Sequence, residues 1–295
     1  MHQDMVVADA NSTSSKFTRF FIYSLLIFFA VVYLLPLLVA LMTSFKTLDE
    51  IRMGNLMMFP KEWTLAPWSK AWSSACIGID CTGISPYFWN SIKMTVPAVI
   101  ISTVLGALNG YVLTKWRFKG ANLLFAAILF GCFIPYQVVL YPMASVLGKL
   151  GLSASTPGLV LVHTVYGVCF STLYFRNYYM AFPSELISAA KIDGARFFSI
   201  FWLILLPSSG PIIVVSVIWQ FTNIWNDFLF GASFNAGSQA PITVALNNLV
   251  NSSHGVKEYN VHMAAAVLAA IPTLIVYVTA GRYFVRGLMA GSVKG

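Results

Sequence analysis

Residues 20–42 read Phe20-Phe-Ile-Tyr-Ser-Leu-Leu-Ile-Phe-Phe-Ala-Val-Val-Tyr-Leu-Leu-Pro-Leu-Leu-Val-Ala-Leu-Met42, without one charged side chain. A hydrocarbon core of about 30 Å is crossed by roughly 20 apolar residues in helical form, so this stretch can span a membrane. Lys16 and Arg19 precede it. The run is too long for a signal peptide and shows no small-residue cleavage site, so it reads as a retained anchor behind a mobile polar tail, Met1–Ser15.

Outward from this segment the pattern recurs. Comparable runs over 87–113, 121–141, 157–175, 211–230 and 262–283 bring the expected spans to six. The predicted class is an all-α, polytopic membrane protein, with an N-terminal tail over 1–19, a six-helix domain over 20–286 and a C-terminal tail over 287–295. Pro97 and Pro272 predict kinks. Composition agrees: 58% of the 295 residues are hydrophobic and 9% charged, against about 25% charged in soluble domains. That leaves too little polarity for a water-facing surface.

The net charge is +8, yet the basic residues stand singly between apolar runs. Nucleic-acid binding, which needs a clustered basic face, is excluded as a reading. Retention of Lys and Arg on the cytoplasmic side explains the charge instead. With the N-terminus inside, 11 of them fall inside and 7 outside, which places both termini in the cytoplasm. Thr43–Pro86 is then the largest external interruption, and its Trp63, Trp68 and Trp72 suit an interfacial belt. It also holds Cys76-Ile-Gly-Ile-Asp-Cys81, where an oxidising periplasm permits a disulfide. No His lies at ligand spacing from these cysteines, so no metal site is expected. Ser102, Gly106 and Gly110 form a small-residue stripe for close helix approach, within the chain or against a partner subunit.

The segment 182–207 is unlike a loop. Ser184 suits an N-cap and Glu185 the first turn. A short helix to Ile192 would end at Gly194, in the left-handed conformation, and a second, Phe197–Leu206, would stop at Pro207. The expected form is two short helices on the cytoplasmic face, hinged at glycine.

These residues carry a resemblance. Ser188-Ala189-Ala190, Gly194 and Ile204-Leu205-Leu206-Pro207 match the spacing of the Glu-Ala-Ala motif in permeases of binding-protein-dependent ABC importers, and Asp193-Gly194-Ala195 resembles its sugar-importer version. Ser188 departs from the usual Glu, and Glu185 lies one turn earlier. Pro36, Thr43-Ser44-Phe45-Lys46 and the closing 286–295 resemble maltose-type permeases without a large periplasmic insert. Asn90-Ser91, Gln220–Phe230 and Pro241–Leu246 resemble permeases of glucose/mannose importers.

The resemblance implies a type I importer permease in the bacterial inner membrane, forming half of a sugar pathway. Its partners would be a second permease subunit, a cytoplasmic ATPase dimer, a periplasmic sugar-binding protein and membrane lipid. Glu185, Ser188, Ala189, Ala190, Asp193, Gly194, Ala195 and Pro207 would form the segment coupled to the ATPase. The C-terminal tail would either reach toward the ATPases or fray. The chain has no Gly-x4-Gly-Lys-Ser/Thr loop, so it is read as no enzyme, with ATP and Mg used by the partner.

On the fifth span Gln220, Asn223, Asn226 and Asp227 recur at helical spacing beside Trp219 and Trp225. They suit sugar hydroxyls, or hydrogen bonds between helices. His163 and His262 read as packing or interface residues. Two rival classes are an ion-coupled secondary transporter and a non-transporting assembly subunit. The first lacks a central intramembrane carboxylate, since only Asp227 and Lys93 come close, near outer ends. The second leaves the 182–207 motif without a purpose.

Overall fold

In lipid an apolar segment satisfies its own backbone polar groups only as helix or closed barrel, and the long apolar runs here are helical. The computed structural model describes residues 12–54, 57–116, 118–235, 237–251 and 256–292. In chain order the helices are α1 (Ser12–Ser44), α2 (Leu48–Arg52), α3 (Ala66–Ser73), α4 (Ser85–Lys115), α5 (Ala121–Cys132), α6 (Tyr136–Lys149) and α7 (Thr156–Met180). There follow α8 (Ser184–Ile192), α9 (Phe197–Ile200), a π-helical turn Phe201–Leu205, α10 (Leu206–Ser208), α11 (Gly210–Trp225), α12 (Leu229–Phe234), α13 (Ile242–Asn251) and α14 (Tyr259–Ser292). No strand forms among the described residues, only an isolated bridge between Ile77 and Asp80.

Among the described residues, four helical stretches are singly long and apolar enough to span: Thr18–Ser44, Ser85–Lys115, Thr156–Met180 and Tyr259–Gly281. The other two expected spans are bent pairs. The third is not one helix over 121–141, because α5 and α6 meet at 103° across Phe133–Pro135. Pro135 has no N–H to continue α5, while at the entry of α6 none is needed. Within the expected 211–230, α11 stops at Trp225, and on its other side it meets Phe197–Ser208 at 79°. The helix from Phe197 does not stop at Pro207. It runs to Ser208 through the π turn, where the Leu206 N–H bonds to Phe201 O, so the ladder has already shifted by one residue ahead of the proline. Pro97 and Pro272 lie inside unbroken helices.

At the ends, α1 already begins at Ser12 and α14 continues to Ser292, where tails were expected. Residues 1–11 and 293–295 of those tails lie outside the described residues.

The chain divides into two compact units. One holds the N-terminal part to Trp68 together with Glu258–Val267. In it α1 exposes its apolar side chains over most of its length, such as Phe20, Ile27 and Leu34, as a lipid-facing helix would. The chain after α1 folds back: Thr64 N–H bonds to Phe45 O at 3.0 Å, and the Phe45 ring lies 5.5 Å from Trp63 and 5.3 Å from Trp68. Asn260 donates to Lys46 O at 3.0 Å.

The second unit, Ser69–Lys257 and Leu268 onward, is built on the pairing of α4 with α7. The small-residue stripe serves this contact within the chain. A Cβ on Gly106 would stand 2.2 Å from Ser171 Cβ, and one on Gly110 would stand 2.8 Å from Arg176 N. Only glycine lets the two backbones approach so closely. α11 packs on the same pair, with Trp225 buried and its Nε1 donating to Ala269 O at 2.9 Å. Before α4, Cys76 and Cys81 are joined as a disulfide that closes a tight loop with Ile79 at its tip.

Candidate functional site

The first site is the α8–α10 segment. Its anchor is Ile187, 5% exposed, set among Tyr111 of α4, Phe175 and Tyr179 of α7, and Ile200, Phe201 and Leu205. Burying one such side chain away from water is worth about 1.5–3 kcal/mol. Tyr111 stacks on Phe197 at 4.7 Å and on Phe201 at 6.0 Å. Polar ties brace the same region: Lys115 Nζ donates to Phe182 O at 2.7 Å, Tyr178 Oη to Ser208 O at 2.8 Å and Ser209 Oγ to Tyr179 Oη at 2.9 Å. The segment is therefore clamped to the ends of α4 and α7.

Its expected start is corrected. Ser184 is the first helical residue, the cap position belongs to Pro183, and no side chain caps the helix. Glu185 lies in the first turn. At the other end Gly194 has φ +83°, and two bonds close the helix, Ala195 N–H to Ala190 O at 2.9 Å and Gly194 N–H to Lys191 O at 3.1 Å. That pair of bonds is the Schellman arrangement, which needs a left-handed residue at Gly194. Ala190 and Ala195 are half-buried against the anchoring cluster. Glu185, Ser188, Ala189, Asp193, Gly194 and Pro207 are exposed, and so is Ile192, at 87%. The motif residues thus divide into an inward pair and an outward, small-residue face.

The second site is a cleft of about 480 Å³ between α7 and the α11–α12 break. The four residues singled out on the fifth span all line it. Gln220 is 2% exposed, and its Nε2 donates to Ser102 Oγ at 3.1 Å and to Ser171 Oγ at 3.0 Å, joining α11 to α4 and α7. Ser171 in turn lies 3.0 Å from Ser216 Oγ. Gly167 makes room for this junction, since a Cβ there would meet Gln220 Nε2 at 2.4 Å. Asn223 and Asn226 are exposed, donating to the carbonyls of Trp219 at 2.7 Å and Thr222 at 2.8 Å. Asp227 accepts from Phe230 N at 3.3 Å and Gly231 N at 3.1 Å, which fixes its carboxylate at the start of α12.

The opposite wall comes from α7: His163, Tyr166, Gly167 and Phe170. Phe170 lies 4.2 Å from Trp219, ring to ring. Of the two tryptophans noted on the fifth span, Trp219 lines the cleft and Trp225 packs inside the unit. His163, read as a packing or interface residue, is 5% exposed and packs edge-on against the Phe230 ring at 5.7 Å, and it also borders the cleft. Sequence spacing sets 163, 166, 167 and 170 on one helix face, at i, i+3, i+4 and i+7, but does not say what that face meets. His262 lies in the other unit, at the start of α14.

Comparison with known proteins follows the same lines. The family described as binding-protein-dependent transport system inner membrane component matches residues 98–289, which contain both sites. A probable ABC transporter permease protein of Pyrococcus horikoshii is 40% identical over 94% of this chain and 98% of its own. The xylose/arabinose import permease protein of Haloferax volcanii is 34% identical over 90% of each chain. A chain from the solved structure of a bacterial ABC transporter that imports the acidic polysaccharide alginate is similar with a TM-score of 0.81. It is 20% identical over 94% of this chain and 100% of that one, a likeness of fold.

Proposed function

The chain belongs to the family of binding-protein-dependent transport system inner membrane components, and from that premise we propose that it is one of two permease subunits of an ATP-driven importer of neutral sugars, glucose or mannose foremost. The observation that carries this reading is the braced α8 segment, with its glycine-terminated helix and exposed small face. Small side chains at Ser188, Ala189 and Gly194 let a partner surface approach the α8 backbone. The clamp through Ile187, Tyr111 and Lys115 makes displacement of α8 a displacement of α4 and α7.

In this reading an ATPase dimer grips α8 from the cytoplasm. Its closure switches the permease between inward- and outward-facing states, and a periplasmic binding protein delivers the sugar. ATP and Mg are used by that partner in the cytoplasm, while this chain sits in the bacterial inner membrane. The α7–α11 cleft is this subunit's share of the pathway, with Asn223, Asn226 and Asp227 toward the sugar and Gln220 holding the helices together. Names of related permeases, which include importers of xylose/arabinose, diacetylchitobiose and alpha-glucosides, support a sugar as cargo.

The test is purification of the complete importer and its reconstitution in vesicles. ATP hydrolysis and uptake should rise with binding protein loaded with glucose or mannose, and rise less with xylose. Stimulation by xylose alone would overturn the glucose/mannose assignment, and stimulation by no sugar would overturn the sugar importer itself.

A further inference from the structure

Four buried polar side-chain atoms on α7 have no hydrogen-bond partner among the described residues, and two of them, His163 Nε2 and Tyr166 Oη, belong to side chains that line the α7–α11 cleft. His163 is only 5% exposed. Its Nε2 lies 3.7 Å from Asp227 Oδ2, too far for a direct N–H···O bond. Proteins pair nearly all buried polar atoms, and each exception asks for a reason. Two such exceptions border one cleft, His163 beside the fixed Asp227 carboxylate, and the cleft's size is ordinary for small-molecule sites.

We propose that His163 Nε2, Tyr166 Oη and Asp227 Oδ2 form a hydroxyl-binding subsite of this chain, taking a neutral monosaccharide ring as it passes through the cleft. This rests on the reading of the chain as a sugar permease. A hydroxyl both donates and accepts. One placed about 2.8 Å from each atom donates to Asp227 Oδ2 and accepts from His163 Nε2–H, which closes the 3.7 Å gap. The Asp227 oxygens hold spare lone pairs beyond their bonds to Phe230 and Gly231. Tyr166 Oη, one helical turn along α7, serves a neighbouring hydroxyl. Phe170 and Trp219 present apolar ring surface to the sugar's C–H faces. The Asp227 carboxylate disfavours acidic sugars by like-charge repulsion.

The experiment compares initial uptake by the complete importer in vesicles for wild type, His163→Phe and Tyr166→Phe. The substrates are whichever of glucose, mannose and xylose wild type takes up fastest, and its monodeoxy analogues. With the binding protein unchanged, differences between variants report on the permease. Wild type should lose about 10-fold or more in kcat/KM on at least one monodeoxy analogue, as a site built to bond a hydroxyl does. His163→Phe should lower kcat/KM for the parent sugar by about 10- to 100-fold. It should leave that analogue within about 2-fold, so that discrimination collapses. Tyr166→Phe, which removes one oxygen and keeps the ring, should collapse discrimination at another hydroxyl, and it decides alone if His163→Phe does not assemble. Parallel losses on all the sugars, or no loss, would assign the α7 residues to packing and overturn the inference alone. Uptake of no sugar by wild type would overturn the proposed function and this subsite together.

Discussion

Gly194 concentrates the chemistry of its segment in one dihedral angle. Its φ of +83° is open to glycine without cost, whereas an L-residue there loses roughly 1–2 kcal/mol. No atom lies within 4 Å of where its Cβ would stand, so the penalty of a substitution is backbone strain and not a clash within the chain. Gly194→Asn should therefore keep α8 and retain most uptake, since Asn tolerates the left-handed region. Gly194→Val should insert normally, because no spanning segment changes, yet lose at least 10-fold in ATPase capture on a pull-down. Equal capture by Val and wild type would remove Gly194 from the coupling interface. Ser188 is exposed and already departs from the motif's glutamate, so Ser188→Glu should keep substantial uptake.

At the scale of helices, the local rules were legible and the long-range ones were not. The end of α8 could be read because a glycine two residues beyond Ile192 suffices to predict it. The break between α5 and α6 could not. Pro135 and Pro142 look alike in sequence, yet one opens α6 and the other lies inside it; hydropathy averaged over 121–141 hides the turn. The cleft was half legible for a similar reason. The polar face of α11 stands out against apolar neighbours, whereas His163 and Tyr166 gain meaning only once Asp227 is brought opposite them. The α4–α7 contact gives a direct test. Gly106→Ala places a Cβ 2.2 Å from Ser171 Cβ and 2.8 Å from its backbone carbon, so the helices must part. Gly281→Ala meets nothing within 4 Å and adds helix propensity worth up to about 1 kcal/mol. In detergent, Gly106→Ala should lower the unfolding temperature by several degrees and Gly281→Ala should leave it unchanged or raise it. Equal temperatures would show that α4 and α7 are not so closely packed.

Across the whole molecule, two independent features bear on which side faces the cytoplasm. The first is the Lys/Arg count, 11 against 7 with the N-terminus inside. The second is the layout of α4. Its first residue follows the Cys76–Cys81 loop, and its last turn holds Lys115, bonded to the chain leading into α8. At about 1.5 Å per residue, the 31 residues of α4 separate these features by about 46 Å, enough to put them on opposite faces. A disulfide persists in an oxidising compartment, while the coupling role proposed for α8 requires it on the side where ATP is. Both demands are met together only if the Cys76 side is external. An alkaline-phosphatase fusion after Lys61 should therefore be active and one after Lys119 inactive. Mass spectrometry of the peptide spanning Cys76–Cys81, from protein kept oxidised, should find the two thiols bonded. Free thiols with the expected fusion pattern would remove the disulfide and keep the orientation. The reverse fusion pattern would place α8 outside, and no ATPase could then reach it.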